Sequence, residues 1–359
     1  FLLGYYIIVF AGNFETLFVG WEILGLCSFL LIAFYRDRYL PVKNSMKVLS
    51  LYRLGDVCLI LGMWMSHHLW HENITFASLN NTESVLAHLN EHNWYGVFIA
   101  LMIVLAAALK SAQMPFSSWL PRAMEGPSTS SAIFYGSLSV HLGVFLLLRT
   151  YPYWEPIFEM KATVLVIGAV TSLLATSTAR VQSTVKTQIA YASIAQIGLI
   201  FIEISLGWHV IALVHFAGNA FLRTYQLLVA PSVLGYRIHD MFFQPVQRLA
   251  RSRNATLRRI QSTWYLLALK EWNLDQMQKQ FLWNPFKWIG RKMAFLSHPV
   301  SIAILAIIYL AGIYSSYFGE NIPDQFEEWL PYFYSFLSLM LTLRAFAERG
   351  SAISAWTFL

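Results

Sequence analysis

Long apolar runs separated by short polar stretches pattern the whole chain. They predict spans at 1–12 (cut short), 15–34, 44–66, 94–114, 128–148, 162–179, 187–206, 209–229, 297–318 and 329–347. Each complete run has about 18–23 residues, enough to cross ~30 Å of hydrocarbon as a helix. The fold class expected is an all-α polytopic membrane protein. One stretch breaks the pattern. In 106–143, AAALKSAQMPFSSWLPRAMEGPSTSSAIFYGSLSVHLG, Lys110 closes an apolar run, then Pro115, Pro121 and Gly126-Pro127 interrupt the helix, and a second apolar run follows with Tyr135 and His141. Broken backbone at bilayer depth is tolerated only inside protein or against a wet cavity. A charge kept at that depth, at a cost of roughly 2.5–3.5 kcal/mol on insertion scales, is by default a functional one. Together they predict an ion or proton path.

Composition agrees. The chain is 57% hydrophobic and 12% charged, against about 25% charged in soluble domains. Placing the 35–43 loop inside leaves only Arg149 and Lys161 on outer loops and Arg53, Lys110 and Arg223 within spans. Every other Lys and Arg then falls on the cytoplasmic side, as the positive-inside rule requires. The net charge of +6 suits anionic lipid or an acidic partner. Cys27 and Cys58 lie in apolar spans and read as small packing residues. There is no nucleotide loop, nucleophile constellation or nucleic-acid module. The start at Phe1, inside an apolar run and without Met, reads as a missing N-terminus, and the end at Leu359 lacks a clear stop.

The outer 67–93 loop carries His67, His68, His71, His88 and His92 without Lys or Arg. His88-Leu-Asn-Glu91-His92 has the HxxEH order of some zinc peptidases, but a polar interfacial helix is the expected reading, and no metal site is assigned. Pro231 is expected to end a helix. Beyond it, Arg248, Arg251, Arg253, Arg258 and Arg259 precede a segment rich in Trp and Lys, which suits helices on the cytoplasmic interface, as an anchor or a docking platform. The domains expected are a channel core at 1–236, a basic amphipathic linker at 237–296 and a C-terminal hairpin at 297–359.

Charges inside the spans supply the candidate path. Glu22 lies about 10 Å deep in its helix, and Lys110 needs a partner from another helix, for which Glu22 is the candidate. Arg53 and Asp56, three apart, form a supporting ion pair. His215, Asn219 and Arg223 follow at i, i+4 and i+8 as a polar stripe. Tyr135, His141 and Lys186, at the inner mouth of its span, complete the set. Lysine paired with carboxylate, and histidine, exchange protons readily when linked by water.

These residues carry a likeness. GWEILGLCSFLLIAFY, RLGDV, ALKSAQMPFSSWLPRAMEGP and VKTQIAYASIAQIGLIF resemble, over roughly 1–230, the proton-translocating antiporter-like subunits of complex I, chain 5 in particular, and of the multisubunit cation/proton antiporters. The resemblance implies inverted five-helix repeats with discontinuous helices. It puts Glu22 and Lys110 in the family's charge pair and His215 on its second broken helix. The pattern departs at several places. Tyr135 stands where chain 5 usually has His, His141 where the antiporters often have Lys, Asn219 and Arg223 where a His and a Lys occur, and Thr184 where an Asp precedes Lys186. After 236 the helix carrying the family's outlet lysine does not align. HFAGNAFLRTYQLLVAPSVL and the basic linker are most similar to one branch, the membrane subunit of the Dab inorganic-carbon accumulation complex. That likeness implies a bacterial inner-membrane subunit whose cation flux energises a large cytoplasmic carbonic-anhydrase-like partner. The zinc would sit on that partner, with no cofactor on this chain. A redox-driven pump subunit, a multisubunit antiporter subunit and a purely structural scaffold are the alternatives.

Overall fold

A computed structural model describes residues 1–71, 73–81, 83, 85–87, 93–243, 254–317, 329–348 and 350–358, with side chains placed except at 93, 231–243 and 316. The described residues are almost wholly helical, and six helices are long and apolar enough to cross a membrane. The chain is a multi-pass membrane protein. It divides into two compact units, Phe1–Leu274 and Asp275–Leu359, so the unit boundary falls inside the basic linker expected at 237–296.

In the first unit, α1 (Leu2–Phe10) and α2 (Phe14–Ile32) form a hairpin, and Asn13 caps α2 by accepting from Thr16 N at 3.0 Å. Next comes α3 (Tyr39–Trp70), longer at both ends than the apolar run predicts. The first part of the outer loop after it packs back onto the bundle. Residues 73–81 fold over the top of α2, burying Ile74, Phe76 and Leu79, while Phe76 N donates to Gly12 O and its ring meets Phe14. Three apolar side chains in a polar loop drive this closure. His88 to His92 lie outside the described residues.

Helix α4 (Asn93–Lys110) stops at the lysine. The chain unwinds through a cis Met114-Pro115 bond and resumes as α5 (Trp119–Ala123), with Pro121 inside it. Protein groups take up backbone polar atoms that the break frees. Met114 N donates to Thr171 Oγ1 at 2.9 Å, and Trp119 Nε1 donates to Leu109 O at 2.9 Å. The next span, α6 (Ser128–Arg149), is also irregular: a π-helical run Ser131–Leu138 passes into a 3-10 turn Ser139–His141 before regular helix resumes. Gly143 lets α6 close on α4, since a Cβ there would stand 2.1 Å from Ala107 O.

Helices α7 (Phe158–Ala179) and α8 (Val185–Ser205) pack through Gly168 and Gly198, each lying against the other's carbonyl. Helix α9 (His209–Phe243) corrects two expectations: it continues through Pro231, and it is unbroken around His215. A proline removes one main-chain donor, and a membrane helix survives that loss when neighbours re-satisfy the freed carbonyl. Helix α10 (Ala255–Leu269) follows, capped by Asn254. Trp264 shares a groove with α7 and α8, so this part of the linker lies along the bundle. Three successive non-glycine residues, Glu271, Trp272 and Asn273, then take left-handed φ of 52–57°. Arg122 of α5 holds the turn through two hydrogen bonds to Glu271, at 3.1 and 2.7 Å.

In the second unit, α11 (Asn284–Lys292) lies against α13 (Leu330–Ala347) at Gly290. Helix α12 (Pro299–Tyr317) packs against α13 at Gly312, and Tyr334 donates to Ile308 O.

Candidate proton-path site

Two polar clusters lie inside the first unit. The first is built by α2, α3 and the end of α4. Arg53 Nη1 donates to both oxygens of Glu22, at 2.7 and 2.6 Å, and lies 3.3 Å from Asp56 Oδ2. The other Asp56 oxygen accepts from Trp21 Nε1 at 3.0 Å. The expected Arg53–Asp56 pair is therefore present but shared. The expected Glu22–Lys110 pair is not formed, because Arg53 Nη1 takes both oxygens of the carboxylate. Lys110 is 1% exposed. Its Nζ lies 4.5 Å from the Trp21 ring centroid and 4.2 Å from that of Tyr52. It has no hydrogen-bond partner among the described residues. Gly25 keeps the space beside it open, since a Cβ there would come to 4.0 Å from Nζ.

Tyr52 leads to the second cluster. Its hydroxyl lies 3.4 Å from Ser139 Oγ on the irregular stretch of α6, two residues before His141. His141 is buried, with Nδ1 2.6 Å from Ser137 O and Nε2 3.0 Å from Asn219 Nδ2. Asn219 Oδ1 accepts from Arg223 Nε at 3.1 Å, while the Arg223 nitrogens Nη1 and Nη2 donate to Gln226 Oε1 and Ala192 O. The predicted stripe thus divides. Asn219 and Arg223 join His141, while His215 faces α8, its Nδ1 2.7 Å from Glu203 Oε1 and its Nε2 2.8 Å from Gln196 Oε1.

Tyr135 is buried and donates to Ser28 O at 2.6 Å, which ties the π-helical run to α2. Lys186 stands apart at the start of α8, 3.4 Å from Gly126 O, on a cavity of about 560 Å³ that Glu125 and Thr184 also line. Cys27 and Cys58 are both free. No cluster of three potential metal ligands occurs among the described residues.

The sequence reading passed over Glu203 and Gln196. Glu203 interrupts the apolar run IFIEIS, and Gln196 sits seven residues before it, so both share a helix face. Tyr52 and Trp21 gave no signal, since aromatic residues in apolar helices are ordinary packing.

Residues 11–269 match the family described as NADH:quinone oxidoreductase/Mrp antiporter, transmembrane. The chain belongs to this family. It is 36% identical over 234 residues to NADH-ubiquinone oxidoreductase chain 5 of Paracentrotus lividus, covering 65% of this chain and 35% of that protein. It is 29% identical over 317 residues to the chain 5 protein of Metridium senile, covering 85% and 52%. The chain therefore spans between about a third and a half of these relatives' length. In the structure of the Mrp complex from Dietzia sp., one chain superposes with a TM-score of 0.56 at 25% identity, over 62% of this chain and 24% of that one. A chain of the archaeal membrane-bound sulfane sulfur reductase gives a TM-score of 0.55 at 19% identity, covering 64% and 38%, which shows the same fold. The antiporter-like fold is thus established, with one helix broken after Lys110 as expected and a second irregular at α6, whereas the helix carrying His215 is unbroken.

Proposed function

We propose that this chain is a proton-conducting membrane subunit of a larger complex. The observation that carries the reading is the buried polar file itself. It runs from Glu22, Arg53 and Asp56 past Lys110 and Tyr52 to Ser139 and His141, with His215 and Glu203 beyond. Lys110 Nζ and Glu203 Oε2 are buried without a hydrogen-bond partner, and water is the partner such groups require. Protons would enter from the outer side, cross by this file and leave near the Lys186 cavity. The membrane potential supplies ~2.3 kcal/mol per charge per 100 mV. The chain itself is an energy-coupling subunit, and any catalysis belongs to its neighbours.

Two partner classes fit. The named relatives support a quinone-reductase or Mrp-type assembly in the first place. The likeness of 215–234 and the basic linker to the Dab branch supports the other, a carbonic-anhydrase-like zinc subunit in a bacterial inner membrane. The deciding experiment purifies the complex gently through this chain and applies mass spectrometry with metal analysis. Iron–sulfur or quinone-linked subunits support the redox reading, and a large soluble subunit with about one zinc per complex supports carbon uptake. Conduction is tested by reconstituting the complex in vesicles holding a pH-sensitive dye. Tight vesicles under an imposed potential would refute it.

A further inference from the structure

His141, buried, and His215, partly buried, sit against amides of opposite freedom. Arg223 carries only donors, so the Asn219 atom facing its Nε at 3.1 Å is the oxygen. The Asn219 nitrogen must then face His141 Nε2 at 3.0 Å, and it also reaches Ser193 Oγ at 3.5 Å. An amide nitrogen donates, so His141 Nε2 accepts and carries no proton. The proton on His141 is on Nδ1, donated to Ser137 O at 2.6 Å. The arginine is itself held by Gln226 and Ala192. The network therefore fixes one neutral tautomer of His141. Gln196 is different: among the described residues its one side-chain hydrogen bond is to His215, so its amide can turn either end to that ring.

We infer that Arg223 and Asn219 are positioning residues that lock His141 in its Nδ1–H form and so gate proton transfer between the Lys110 cluster and the His215 cluster. The inference rests on the proton-conducting reading. A proton arriving at His141 must bond to Nε2, because Nδ1 is occupied, and the imidazolium then releases one of its two protons onward. With the Asn219 nitrogen in place, that addition sets two donors face to face. The amide has to rotate, which requires its oxygen to leave Arg223. Arginine does not give up its own proton in proteins. Arg223 is thus a fixed buried charge beside the path, with no described carboxylate within ion-pair distance. Around His141 the other charged or titratable group is His215, and the Phe216 ring packs edge-on at 4.8 Å.

The test is nitrogen NMR of the intact complex in bilayers with labelled histidine, His141 being assigned by its loss in His141→Gln. The expected result is an unprotonated Nε2 and a protonated Nδ1. In Arg223→Met and Asn219→Leu the Ser137 carbonyl still holds the proton on Nδ1, but Nε2 is open to a second proton. The doubly protonated imidazolium then appears at a pH where the unaltered complex shows none, and proton flux in vesicles rises roughly tenfold, the factor one hydrogen bond is worth. A protonated Nε2 in the unaltered complex, or no imidazolium in either variant, overturns the lock even if the complex conducts. Vesicles that never conduct, with His141 locked as described, leave the lock standing and remove the conduction reading instead.

Discussion

Replacing Lys110 by Met separates a conducting subunit from a scaffold, because the structure sets the stability change near zero. The ammonium at bilayer depth costs roughly 2.5–3.5 kcal/mol on insertion scales. Against this stand its two ring contacts, at 4.5 and 4.2 Å from Trp21 and Tyr52, each worth about 0.5–2 kcal/mol, and no hydrogen bond. The two sides cancel to within about 2 kcal/mol, and Met fills the space with similar volume. The variant should therefore assemble in normal amount. It should lose proton flux, since only the Tyr52 hydroxyl then lies between the Glu22 cluster and Ser139, and a phenol is a far weaker proton carrier at neutral pH than an amine near carboxylates. Complex yield and melting temperature in detergent, read beside dye-based flux in vesicles, test both halves. An assembled variant with undiminished flux would remove Lys110 from the path. A complex that falls apart would show that the buried charge holds helices together, as a scaffold requires.

Other expectations follow from single contacts. Glu203→Gln should assemble but cut proton flux roughly a hundredfold or more, the range that acid–base partners supply; flux equal to the unaltered protein would place Glu203 off the path. Gly143→Ala should lower the melting temperature of the purified complex, because overpacking of this kind costs about 1–3 kcal/mol and the new methyl meets Ala107 O; an unchanged melting curve would count against the α4–α6 contact. Arg122→Gln should expose 254–274 to limited proteolysis by releasing Glu271, and an unaltered digestion pattern would mean the left-handed turn is held by other contacts.

What the sequence made legible follows from its physical signals. Lys110, the prolines after it and the histidines within spans stand out because charge and broken backbone are costly in lipid. Their partners are harder to read. Glu22 has two cations within reach, and sequence does not say that the half-exposed Arg53 takes both its oxygens. The i, i+4, i+8 stripe misleads for a geometric reason. Over eight residues a helix turns about 80° past a whole number of turns, yet all three side chains still reach α8, at Gln196 and Glu203, at Ser193 and at Ala192 O; what divides them is that the Asn219 amide also reaches His141. The irregular stretch of α6 is centred at Leu138 and Ser139, and Gly136 within it is a weak signal, since an isolated glycine also serves close helix packing, as this one does against Leu227. The continuity of α9 through Pro231 fails the opposite way, as a strong breaker that the surrounding bundle overrules.

The irregular winding of α6 has a mechanical consequence. A π-helical hydrogen bond reaches one residue further than an α-helical one, and a 3-10 bond one residue less. Here the two lie end to end, eight residues at Ser131–Leu138 and three at Ser139–His141, so the one partly offsets the other. If both relaxed to α-helical bonding, the residues on either side of the junction would turn about the helix axis, Tyr135, Ser139 and His141 among them, while the regular helix from Leu142 on would keep its own bonding. The helix carries a swivel joint in its middle, able to redirect its polar groups.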